Sequence, residues 1–111
     1  MPSDFTLKAH DRLPSIQATL TSAGAPVDLT GATGVTFIMK AAQGNTVKVN
    51  AAAVVVTPAS GVVRYDWLAI DTDTPGSYMA EWQVTWSGGK RQTFPTLTFH
   101  TVDILQDLDN A

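Results

Sequence analysis

The segment 71-DTDTPGSYMAEWQVTW-86 admits two readings, and the choice between them decides the fold. Its first half, D-x-D-x-x-G, opens like a calcium loop, with Asp71, Asp73 and Gly76 at positions 1, 3 and 6. A loop of that type also needs an oxygen ligand at position 5 and a bidentate carboxylate at position 12. Position 5 is Pro75, position 12 is Trp82, and the nearest acid, Glu81, falls one place early. The coordination shell cannot close, so the second reading stands. Pro75 presets a turn, and Gly76 supplies the positive φ that a type II turn requires next. Tyr78, Ala80, Trp82, Val84 and Trp86 then share one face of a strand, with Met79, Glu81, Gln83 and Thr85 on the other.

Outward from this strand the same period-two pattern recurs. Ile16, Ala18 and Leu20 alternate with Gln17 and Thr19; Val35, Phe37 and Met39 alternate with Thr36 and Lys40; Val63, Tyr65 and Trp67 alternate with Arg64 and Asp66. Turn signals separate the runs at 22–26 (SAGAP), 43–45 (QGN), 58–61 (PASG) and 87–90 (SGGK). A last strand is expected over about 93–104, interrupted at Pro95, which suits an edge or a bulge. Helical periodicity is nearly absent, apart from a single turn at 67–73 (WLAIDTD). The expectation is an all-β, immunoglobulin-like antiparallel β-sandwich of about seven to nine short strands without a disulfide. One domain over 1–104 is followed by an acidic tail at 105–111. Tyr78 sits where such sandwiches place a corner tyrosine, two residues before a cysteine position that is Ala80 here. Phe37, Tyr65, Trp67, Trp82 and Trp86 are the expected core aromatics, and Pro75, Gly76 and Tyr78 the turn and corner that define the fold.

Composition narrows the function. The 111 residues are 44% hydrophobic and only 15% charged, against about 25% in ordinary soluble domains. A surface this poor in charge suits a protein that packs against neighbours. The net charge of −3 leaves no electrostatic footprint for nucleic acid. With no cysteine, thiolate zinc sites and cysteine nucleophiles are excluded. The longest apolar run, 51–56, is far shorter than the ~20 residues that span a bilayer. The N-terminus lacks the basic and apolar regions of a secretory signal, which reads as cytosolic origin. His10 and His100 have no nucleophile motif beside them, and TGATG at 30–34 lacks the lysine of a phosphate loop. Asp66, Asp71 and Asp73 near turns suit backbone capping better than paired-carboxylate catalysis. No cofactor, metal or catalytic residue is expected.

The ordered motifs resemble a phage family. Lys8 and Asp11 form K-x-x-D, and 14–20 reads P-x-(apolar)-x-A-T-L. The pattern continues as G-x-P-V-D-L-T-G-A-T at 24–33, and as G-x-V-x-Y-x-W, here GVVRYDW, at 61–67. It closes with D-T-x-x-P-G-x-Y-x-A-E-(aromatic)-x-V-T at 71–85 and T-F-P at 93–95. This set is similar to the N-terminal domain of phage baseplate upper proteins and to related small immunoglobulin-like virion proteins. The resemblance implies a non-enzymatic structural protein of a bacteriophage tail or baseplate, assembled in the bacterial host cytoplasm and present in multiple copies in the virion. Its partners would be other virion proteins, not nucleic acid or membrane. The alternatives are a capsid or head–tail decoration protein and a carbohydrate-binding module touching the host surface. The candidate contact surface is Met79, Glu81, Gln83, Asp103 and Leu105, with the N-terminal segment and the tail as further candidates.

Overall fold

The computed structural model describes residues 5–95 and 100–108. Eleven strands follow in order: β1 (Phe5–Lys8), β2 (Ile16–Thr19), β3 (Thr21–Ser22), β4 (Ala25–Pro26), β5 (Ala32–Ala41), β6 (Val47–Ala52), β7 (Val54–Thr57), β8 (Val62–Tyr65), β9 (Gly76–Trp86), β10 (Arg91–Phe94) and β11 (His100–Leu105). Two single 3-10 turns, Pro58–Ser60 and Ala69–Asp71, interrupt them, the second within the one stretch where a helical turn was expected. The strand count exceeds seven to nine because β3 and β4 are two-residue arms of a small hairpin.

A six-stranded sheet runs β1-β11-β9-β5-β6, with β10 also paired to β9. A three-stranded sheet runs β2-β8-β7. The two pack together in an arrangement consistent with an all-β sandwich. Pairing among the described strands is antiparallel except for β1, which lies parallel to β11 with Phe5 opposite Val102. The expected last strand is two elements, β10 and β11, which flank β9 on the same edge; its residues 96–99 lie outside the described ones.

The inward face of each sheet comes from the alternation. Val35, Phe37 and Met39 of β5 and Tyr78, Ala80, Trp82 and Val84 of β9 are buried, and their register places Phe37 opposite Trp82. Val63 and Tyr65 of β8, with Trp67 just beyond, answer from the other sheet. Phe37 is the hub. Its ring stacks on Tyr65 at 4.8 Å, meets Trp67 edge-on at 5.7 Å and lies 4.7 Å from Trp82. Aromatic pairs at such distances contribute about 0.5–1.5 kcal/mol each beyond burial. Trp86 differs from the other expected core aromatics, being only half-buried at the end of β9.

The turn before β9 departs from the expected type. Gly76 has φ +154°, not the +80° of a type II turn, and it already pairs with Ile104 as the first residue of the strand. Tyr78, two residues on, points inward, and its hydroxyl donates to the Thr74 carbonyl oxygen at 2.6 Å.

Candidate docking face

The outward face of the six-stranded sheet gathers the candidate contact residues. Strand parity turns Met79, Glu81, Gln83 and Thr85 of β9 away from the core, and antiparallel register sets their neighbours. Ile38 of β5 lies opposite Glu81, Lys40 opposite Met79, and Thr36 opposite Gln83. On the other edge of β9, Thr101 lies opposite Met79 and Asp103 opposite Ser77, whose hydroxyl donates to Asp103 Oδ1 at 2.9 Å. Leu105, two residues beyond Asp103, is exposed on the same face. All five candidates therefore share one surface. Met79, Glu81, Gln83 and Asp103 are half-buried, because neighbouring strands crowd them. Ile38 and Lys40 complete the centre and were missing from the sequence-based set. Their alternation with Phe37 and Met39 was visible, but not the register that brings β5 beside β9. Between them lies a shallow depression of about 280 Å³ lined by Ile38, Lys40, Met79, Ala80 and Glu81. The first four residues and residues 109–111, parts of the other candidate segments, lie outside the described residues.

The carboxylates that a catalytic or calcium site would need are dispersed among structural partners. Asp71 is 3% exposed and accepts from the Tyr65 hydroxyl at 2.6 Å and from the Leu68 N–H at 2.8 Å. Burial, and then the Asp71 bond and charge, push the Tyr65 hydroxyl pKa well above its ordinary value. Asp73 lies on the surface 2.6 Å from Lys48, and that bond, helped by Thr74, holds its carboxyl below the usual range. Asp66 accepts from Ser15 at 2.6 Å and Arg64 at 2.9 Å, which lower its pKa in that order. His10 lies 3.9 Å from Asp107, whereas His100 sits edge-on to Trp82, with ring centres 6.4 Å apart. Among the described residues no group of three or more His, Cys, Asp or Glu converges as a metal site. None of the described helical segments is long and apolar enough to cross a membrane. Among the residues named on it, the face carries three charges, Lys40, Glu81 and Asp103, beside the apolar Ile38, Met79 and Leu105.

Comparisons with known proteins give a family match and matches among solved structures. The family model for the BppU N-terminal domain, the N-terminal domain of baseplate upper protein, matches residues 5–110. The crystal structure of CopC from Methylosinus trichosporium OB3b superposes with a TM-score of 0.55, covering 95% of this chain and 86% of that one at 12% identity. At that identity the likeness is one of fold alone. No curated protein matches.

Proposed function

We propose, from the premise that this chain belongs to the BppU N-terminal domain family, that it is a non-enzymatic adaptor of the phage baseplate, working through protein–protein contacts. Membership makes it a phage baseplate structural protein whose partners are other virion proteins. The finer role rests on one observation: Met79, Glu81, Gln83, Asp103 and Leu105 converge on a single sheet face. The body of the module is residues 1–104, with 105–111 as a tail toward neighbouring components. An immunoglobulin-like sandwich is supported by Tyr78, bonded to the backbone four residues upstream at the start of β9. The carbohydrate reading loses support, since Trp67 and Trp82 are fully buried and only Trp86 is partly open.

The test is location in purified particles. Mass spectrometry and antibody labelling should find the protein at the baseplate, and Met79→Arg with Gln83→Arg should reduce its incorporation while leaving the fold intact. Absence from particles would refute the reading, and copies spread over the whole head would replace it with capsid decoration.

A further inference from the structure

The centre of the outward face is a two-by-two block. Ile38 and Glu81 face each other across β5 and β9, as do Lys40 and Met79. The two apolar residues occupy one diagonal and the two charges the other. Lys40 and Glu81 are the only charged residues on β5 and β9, and among the described residues neither forms an ion pair within the chain. A two-fold axis lying in the plane of the face, along the Ile38–Met79 diagonal, exchanges the charged corners. Ile38 then meets Ile38 of a second copy, Met79 meets Met79, and each Lys40 meets Glu81 of the other copy. The same operation sets Thr36 against Asn50 and Thr101 against Ser77, using the pairs Thr36–Ala52, Ile38–Asn50 and Met79–Thr101 already in the sheet.

We infer that this face binds a second copy of the chain, two sheets packing face to face about that diagonal with crossed Lys40–Glu81 ion pairs. The axis is oblique to the strands, so the strands of the two copies cross steeply, toward the orthogonal class of sheet packing. Such an isologous contact is the commonest route to a closed soluble oligomer. At about 3.3 Å per residue and 4.8 Å between strands, the sheet offers roughly 650 Å² of flat face. That approaches the ~800 Å² per partner of a standard specific interface. Two residues oppose the contact. Asp103 and, one step further out, Lys8 lie along the same diagonal, so each meets its own counterpart in the other copy; Ser77 tempers the Asp103 apposition by its hydrogen bond. The inference rests on reading this face as the docking surface and names its occupant.

The experiment is sedimentation equilibrium on the purified chain over a range reaching on the order of 1 mM, at low ionic strength. Wild type should dimerise. Lys40→Glu and Glu81→Lys should each weaken the dimer by at least about tenfold. Together, Lys40→Glu and Glu81→Lys should restore it, because the crossed pairs re-form with reversed sign. Asp103→Asn should tighten it. Circular dichroism on each variant separates a lost contact from a lost fold, and wherever a single variant unfolds, the double variant and Asp103→Asn decide. A wild-type monomer at every concentration, or a double variant no stronger than the singles, overturns the inference. Such a failure leaves the baseplate reading standing if the face variants still block incorporation into particles. If incorporation is unaffected while the dimer responds as stated, the two-fold contact stands and the baseplate role of the face falls.

Discussion

At Gly61 the backbone turns with φ +68°, and a Cβ built there would lie 2.6 Å from the Val27 carbonyl oxygen and 2.8 Å from that of Leu20. Both are backbone atoms, and Leu20 is itself tied by its N–H to the Gly61 carbonyl oxygen at 2.8 Å, so neither can move aside cheaply. Gly76 is a contrasting case. Its φ of +154° also disfavours a side chain, but a Cβ there would meet only the Tyr78 ring at 3.8 Å, an ordinary contact. Gly61→Ala should therefore cost roughly 3–5 kcal/mol, strain and clash together, against about 1–3 kcal/mol for Gly76→Ala. Urea denaturation of the two variants checks this, and an equal or reversed order would contradict it. The sequence pointed to Gly76 through its proline neighbour. It marked Gly61 only as the end of the PASG turn and gave no sign of its crowding, which comes from residues over thirty positions away.

Among the elements, β9 is the one on which both the core and the candidate face depend. One edge is covered by β5 along most of its length, and the other by β11 over its first half and β10 over its second. The strands β6 and β7 end their sheets, and Val47, Val54 and Val56 on them are exposed. Local opening is cheapest where few contacts hold a strand. Native-state hydrogen exchange should then be slowest at Ala80, Trp82 and Phe37 and fastest, among the strands, over β7. Faster exchange in β9 than in β7 would refute the topology. Much of β9 was legible beforehand, since five alternating apolar residues declare an inward face. So was the outward set on it, by parity alone. Pairing was not legible, for alternation fixes which way a side chain points and says nothing of its neighbour across the ladder. That is why Ile38 and Lys40, which complete the face, emerged only with the register. The Tyr65–Asp71 bond escaped for a related reason: a buried acid looks, in sequence, like any acid near a turn.

For the molecule as a whole, the aromatic hub ties the two sheets into one folding unit. Phe37 belongs to the six-stranded sheet, while Tyr65 and Trp67 belong to the other sheet and its continuation, and all three rings are in mutual contact. Removing the three-stranded sheet would expose the fully buried Trp82 and Phe37 together, and removing the six-stranded sheet would expose the buried Tyr65 and Trp67. Unfolding should therefore be a single transition, as for most domains of this size. Tryptophan fluorescence and far-ultraviolet circular dichroism should give the same urea midpoint. Phe37→Ala empties the hub and should lower stability by about 3–5 kcal/mol. That is a large share of the roughly 5–15 kcal/mol that holds a typical domain, so the variant should sit near the edge of unfolding and still lose both signals together. Two separated midpoints would mean that the sheets are stabilised independently. A docking face carried on one sheet would then no longer be held rigid by the other, and the shape complementarity required of a baseplate module would have to come from its partners.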